Sequence, residues 1–417
     1  MSDLSHTVTN AQADPSAQPG DQQRSAPQTP PSQLQQPDAQ TPIDSYSIAF
    51  SATGSEYFRI WIVNVLLIIV TCGLYLPWAK VRKLKYFYNN TRLDDHSFDF
   101  HGNPWKMLRG LLITGAFFAA YSQSWEFAPA AGLIGMLALL CLAPLLFRAA
   151  MRFRLGNTSW RGLRFRFVDT ERKALYWAIV PGLLLILLPG ALTQLGGTDP
   201  QEQVANMKQH LWLIGVLYLV FLAVLPYFFW RLKSFQHNHY AWGSLQSEYR
   251  SAAKDTYKVF GWALLAMLGL IGCLMAAAFS MTVFGVWGKG LGSLAAFIII
   301  PILIAFYIAL LVVPRAVFTS RMQNLLWSRT GNTFFRFKSW LDVGRFVRLQ
   351  FKNYALILVT LGFYWPFAVV ATKRMQLEAI ELRSRIPLDN LRDESLAQHQ
   401  DAAGDMAADI FGIDIGF

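Results

Sequence analysis

Residues 59–79 read RIWIVNVLLIIVTCGLYLPWA, and residues 348–368 read RLQFKNYALILVTLGFYWPFA. Seven motif positions agree at a constant offset of 289. They are Arg59/Arg348, Asn64/Asn353, Thr71/Thr360, Gly73/Gly362, Tyr75/Tyr364, Pro77/Pro366 and Ala79/Ala368. Chance does not give such agreement, so the two segments form equivalent structures. Glycine suits the left-handed residue that ends a helix, and proline suits the first turn of the next one. Each segment therefore reads as helix, break, helix. The first arm, about 60–72, is roughly 20 Å long at 1.5 Å per residue, too short for a hydrocarbon core of about 30 Å. Gly73, Pro77, Gly362 and Pro366 are the structural breaks of two re-entrant or interfacial hairpins, the alternative being two ordinary spans with proline kinks.

The rest of the chain sets these hairpins in a membrane. It is 53% hydrophobic and 15% charged, with mean hydropathy +0.29. A soluble domain carries roughly 25% charge. Eight apolar runs occur, at about 60–78, 108–121, 129–147, 174–193, 211–230, 259–283, 293–313 and 353–371, several near the length of a membrane span. These features exclude a soluble enzyme, a small disulfide-stapled secreted protein and a disordered chain. Cys72, Cys141 and Cys273 all sit in apolar runs without metal-ligand spacing, and read as small buried thiols.

Charge gives the topology. Connectors after the first, third, fifth and seventh runs are rich in Lys and Arg. Those near 122–128, 194–210 and 284–292 hold only Lys208 and Lys289. The positive-inside rule puts the first group in the cytoplasm. Eight full spans would leave both chain ends on the wrong side. Six spans plus two hairpins satisfy the pattern, with both termini cytoplasmic. The fold class is thus an all-α polytopic membrane protein.

Residues 1–45, rich in Pro, Gln and Ser, read as a disordered tail. Residues 46–386 form the membrane domain, and 387–417 an acidic tail. Met1 is not followed by a basic n-region and an apolar h-region, so no cleavable signal peptide is expected. Residues 58–386 hold 35 basic and 13 acidic residues, or +22. Inside a hydrophobic chain this points to anionic lipid headgroups rather than nucleic acid as the partner; protein partners are not legible. The acidic tail either docks on this basic middle or stays solvated.

A second repeat lies on the cytoplasmic side. Twenty-one residues after Pro77, Pro144, Pro226 and Pro314 come Phe98-Asp-Phe100, Phe165-Arg-Phe167, Ser247-Glu-Tyr249 and Phe335-Arg-Phe337. Alternating aromatics after a polar turn predict short strands, and Ile48-Ala-Phe50 predicts another. Whether they pair into one sheet or wrap individually stays open.

The stretch from Phe50 through Gly54, Glu56, Arg59 and Asn64, then Gly73-Leu-Tyr75-Leu-Pro77-Trp78-Ala79-Lys80-Val-Arg82 and Tyr86 to Asp94, resembles the YjgN-like family. The final Asp409-Ile-Phe411-Gly-Ile-Asp414-Ile-Gly416-Phe417 is also similar to that family's C-terminus. The resemblance covers roughly 46–417 and implies a bacterial inner-membrane protein carrying a domain of unknown function. It implies no reaction, substrate or catalytic residue.

Walker A, H-E-x-x-H, G-x-S-x-G and C-x-x-C signatures do not occur, which disfavours a hydrolase or an ATP-driven pump. No motif calls for a cofactor or a metal. Asp94, Asp95, His96, Asp99 and His101 read as a solvated hairpin surface. His237 and His239 read as interfacial polar residues. Gly132/Gly135 and Gly269/Gly272 read as sites of close helix packing. Intramembrane polar groups are the stronger pointer: Asn64, Thr71, Tyr75, Asn353, Thr360 and Tyr364 are the candidates for substrate or ion binding. The opposing possibility is that Asn and Thr satisfy backbone freed at the break. Arg59, Arg348, Lys80 and Arg82 are candidates for lipid headgroups. Transport of a small solute, ion or lipid leads the functions. A scaffold or envelope-maintenance role on anionic lipid is second, and a lipid-acting enzyme built on the Asp/His group is third.

Overall fold

The computed structural model describes residues 42–168, 171–194, 200–243, 245–283 and 293–390. Both tails lie largely outside these residues, so the docking of the acidic tail does too. Among the described residues, ten helices form five successive antiparallel pairs. The first pair is α1 (Gly54–Val70) and α2 (Leu76–Asn89). The last is α9 (Val343–Val359) and α10 (Trp365–Glu378). Between them come α3 (Pro104–Phe127) with α4 (Pro129–Gly156), α5 (Arg172–Gln194) with α6 (Pro200–Asn238), and α7 (Ala253–Val283) with α8 (Ser293–Ser328). Five helices, α4 to α8, are long and apolar enough to cross a membrane. The chain is a polytopic, mainly helical membrane protein. The 24 residues of α3 would reach about 36 Å, but Lys106, Arg109 and Glu126 lower its hydropathy.

Each helix packs on its neighbours in chain order, and α1 packs on α10, so the ten helices close into a ring. The seam is tight: a Cβ at Gly54 would stand 2.4 Å from the Phe367 ring, and Phe58 packs on Phe367 with centroids 5.9 Å apart. The second arms of the pairs also meet one another at their strand ends. Gln236 Nε2 of α6 donates to Met151 Sδ of α4 at 3.2 Å. Phe229 of α6 meets Phe318 of α8 at 5.8 Å. Gln323 Nε2 of α8 donates to the Gln376 carbonyl of α10 at 2.7 Å.

Short strands join successive pairs. They are β2 (Thr91–Leu93) and β3 (His96–Phe100); β4 (Thr158–Trp160) and β5 (Leu163–Phe167); β6 (Tyr240–Trp242), β7 (Leu245–Gln246) and β8 (Glu248–Tyr249); β9 (Thr330–Gly331) and β10 (Phe335–Ser339). The chain's own ends, β1 (Asp44–Phe50) and β11 (Ile380–Ser384), supply the fifth unit. All are antiparallel, in the order β7-β6-β5-β4-β3-β2-β1-β11-β10-β9-β8. Its two outer strands, β7 and β8, are parts of one segment separated by Ser247, so the sheet has no free edge. It is a closed barrel. Strands divide their pairing as a staggered barrel requires: β1 gives Asp44–Ser47 to β11 and Ile48–Phe50 to β2. Closure removes the unpaired edges on which another chain could add.

Alternation decides which side chains fill it. One apolar cluster draws Leu93, Trp160, Leu245 and Leu382 together with Ile48, Phe98, Phe165, Trp242 and Phe337. A single cluster with members from opposite sides of a closed sheet must be its interior. Leu388, 3% exposed, joins from beyond β11 and plugs it. The intervening residues Arg92, Arg164, Arg336 and Lys338 are exposed and make the outer face basic.

Two expectations need correction. Cys72, Cys141 and Cys273 are all exposed; a thiol is apolar enough for a helix surface that faces hydrocarbon. Gly132 and Gly135 do face the Trp125 and Tyr121 rings closely, but Gly269 and Gly272 have open space beside them and mediate no packing.

Candidate functional site

The two helix breaks are built alike. Cys72 and Gly73 take φ of +48° and +91°, and Leu361 and Gly362 take +51° and +96°. Gly73 N–H donates to the Ile68 carbonyl, and Gly362 N–H to that of Ile357, both at 2.8 Å. Thr71 Oγ1 donates to Leu67 O at 2.7 Å and accepts from Tyr75 N–H at 3.0 Å. Thr360 repeats this toward Leu356 and Tyr364 with the same distances. Each threonine hydroxyl thus accepts from a backbone N–H that the break frees while it donates to a carbonyl the helix already uses. Tyr75 stacks on Trp78, and Tyr364 on Phe367.

The asparagines differ from the threonines. Asn64 is 6% exposed and Asn353 1%, and both side-chain oxygens are buried without a partner. Asn353 Nδ2 makes only long bonds, to Ala368 O at 3.4 Å and Thr372 Oγ1 at 3.3 Å. At the repeat offset, Lys83 stands in the first copy where Thr372 stands in the second. Arg59, Arg348, Lys80 and Arg82 are exposed, the two arginines in the strand-side halves of α1 and α9 and Lys80 and Arg82 in the half of α2 that follows the break. The apolar tips are bare: Val70 and Val359 are each 78% exposed and Leu361 89%.

A second cluster escaped the sequence reading. Lys373 on α10 lies close enough to Arg154 on α4 and Lys83 on α2 to be repelled by both. In ring order α1, α2 and α3 separate α10 from α4, so these charges meet across the interior. Lys233 on α6 is also a neighbour of Arg154. Tyr240 of β6 lies near both Arg154 and Tyr88, and burial pushes its phenol up to about 12. Lys83, Arg154 and Lys373 are exposed, yet surrounding protein desolvates Lys83 and Lys373 and lowers both ammonium pKa values. Exposed cations that stand close together on three helices that are not ring neighbours face the space the ring encloses. No carboxylate forms an ion pair with these cations among the described residues. The signal was present, since each lies 6–10 residues past an aligned proline.

The Asp/His group serves the barrel. Asp94 and Asp389 both pair with Arg161, the latter at 2.5 Å. His101 Nε2 lies 2.8 Å from Ser159 Oγ. Together with Asp99 and Arg164 they border a cleft of about 500 Å³. No three His, Cys, Asp or Glu residues are placed to hold a metal among the described residues. His237 and His239 are buried rather than interfacial, at 5% and 6%. His237 Nδ1 sits 2.9 Å from Thr330 Oγ1 and thereby ties α6 to β9.

Comparison with known proteins agrees with this architecture. Residues 45–410 match the family described as "Bacterial protein of unknown function (DUF898)". Over 140 residues the chain is 35% identical to "Inner membrane protein YjgN" of Escherichia coli (strain K12), covering 32% of this chain and 34% of that protein. The protein of that name from Salmonella typhimurium is 26% identical over 146 residues, 34% of this chain and 37% of its own length. The alignments thus span about a third of these relatives. No solved structure matches the chain significantly. With a family match that runs from within β1 to residue 410, the chain belongs to the YjgN-like DUF898 family of bacterial membrane proteins.

Proposed function

We propose that the protein is a multi-pass inner-membrane transporter that moves a small solute, ion or lipid through the interior of its helix ring. The observation that carries this reading is the closed ring of helices, with Lys83, Arg154 and Lys373 facing its interior and no carboxylate paired with them among the described residues. In this reading α3 to α8 are six spans, and α1/α2 and α9/α10 are re-entrant hairpins. The barrel and both termini are cytoplasmic. The 17-residue first arms reach about 25 Å, and their exposed apolar tips suit hydrocarbon. Because these two short pairs are adjacent, the ring wall is low on one side. An amphiphile would enter there, past Asn64 and Asn353. Broken helices with unpaired polar groups are where transporters hold cargo.

The basic outer face of the barrel favours a second reading, a scaffold resting on anionic headgroups with Arg59, Arg348, Lys80 and Arg82 beside it. Two measurements test these readings. In proteoliposomes, the transporter accelerates transbilayer movement of fluorescent phosphatidylglycerol or leaks a trapped solute. Asn64→Ala and Asn353→Ala change that rate at unchanged protein level. Full rates in both variants remove the asparagine assignment, whereas co-purified lipid without any flux favours the scaffold. Topology is tested by Gln40→Cys, Glu126→Cys, Pro200→Cys, Gly288→Cys and Asp405→Cys in a chain lacking native cysteines. From outside the cell only 126, 200 and 288 label. Labelling at 40 and 405 means that the hairpins span.

A further inference from the structure

We propose that Lys83, Arg154 and Lys373 together hold a phosphate group, either an anionic lipid headgroup or free phosphate, at the foot of the helix ring. The proposal deepens the transport reading, since it takes the ring interior as the working compartment. Three helices that are not ring neighbours each send one cation to the same space. Lys233 adds a fourth charge close to Arg154, and the Tyr88 and Tyr240 hydroxyls lie beside them. Like charges gathered in a partly desolvated space repel each other, and among the described residues no carboxylate pairs with them. A dianionic or monoanionic group with several acceptor oxygens meets that arrangement from three sides at once, through charge-assisted hydrogen bonds. The apolar plug below, closed by Leu388, stops such a group from passing onward through the barrel. Desolvation lowers the Lys83 and Lys373 pKa values, and a bound phosphate opposes that shift.

The test uses the full chain, purified in detergent and delipidated, and reads equilibrium binding. Native mass spectrometry follows added phosphatidylglycerol, with phosphatidylcholine as the neutral-headgroup control. Equilibrium dialysis follows radiolabelled orthophosphate. The variant Lys83→Gln/Arg154→Gln/Lys373→Gln binds the preferred probe at least tenfold more weakly than the parent. Lys83→Arg/Arg154→Lys/Lys373→Arg stays within about threefold, and Arg164→Gln/Arg336→Gln on the outer barrel face is unchanged. Saturation by orthophosphate alone assigns free phosphate as the source. Binding of phosphatidylglycerol without competition from orthophosphate assigns the lipid. If the parent binds neither probe, or the neutral triple variant binds as the parent does, the proposal is overturned. Should the triple variant fail to fold, Lys83→Cys in the cysteine-free chain replaces it. That thiol reacts at least tenfold faster with an anionic than with a cationic methanethiosulfonate reagent, and equal rates overturn the site. Binding needs no movement across the bilayer. Intact binding without flux sinks transport alone, and flux with unaltered binding in the triple variant sinks the site alone.

Discussion

Asn353 shows what a single residue contributes here. Its side-chain oxygen is buried without a partner and its amide makes only long bonds. Leaving a buried acceptor unmade costs about 1–3 kcal/mol, whereas exchange for an apolar group of similar shape is close to neutral. Asn353→Leu should therefore leave the denaturation midpoint in detergent within about 1 kcal/mol of the parent, or raise it. A large loss of stability would mean that the amide bonds matter more than their lengths imply. An unchanged midpoint would make the asparagine unnecessary for folding and leave its presence in both first arms to the proposed binding role. The residue was legible from the repeat alone. Its missing partner was not, because a sequence shows that a polar group is in an apolar run but not what stands opposite.

At the scale of elements, the breaks are self-contained. Gly362 at φ +96° has open space around it, so a side chain there meets no clash and only the left-handed backbone opposes it. Gly362→Ala should cost about 1–2 kcal/mol. Thr360→Val, which leaves Tyr364 N–H without its side-chain acceptor, should cost about 1–3 kcal/mol. The same changes at Gly73 and Thr71 should match them, measured by denaturation in detergent. Unequal effects would show that the two breaks are not equivalent. Gly, Pro and Thr at fixed spacing made both breaks readable, because their chemistry is local. The strands near Phe98, Phe165, Tyr249, Phe335 and Phe50 were readable for the same reason. Their union was not. Two-residue strands such as β7 and β9 carry too little pattern. The fifth unit is also split between residues 44–50 and 380–384, so no local window contains it. The cations were missed on similar grounds: Lys83, Arg154 and Lys373 lie at different steps past their prolines, and only the closed ring brings them face to face.

For the whole molecule, closure is the property to test. Ser45 faces Arg383 across the β1–β11 seam. In a chain without Cys72, Cys141 and Cys273, Ser45→Cys with Arg383→Cys should form an intramolecular disulfide on mild oxidation, since paired strands place Cα atoms within its reach of about 4.4–6.8 Å. After one proteolytic cut in the connector near residue 195, the two fragments stay joined on a non-reducing gel. Separation of the fragments would open the ring. A closed ring also explains how one family member can have so little buried surface in its spans, only 6–28% of each apolar window.

That seam has a consequence in time. β11 is made some 330 residues after β1. At about 5–20 residues per second, on the order of 20–60 s pass between them. Throughout that interval half of β1 is without its partner strand. Ribosome speed therefore sets how long the nascent chain presents a sticky edge, and two chains started side by side could exchange last strands before either had finished its own.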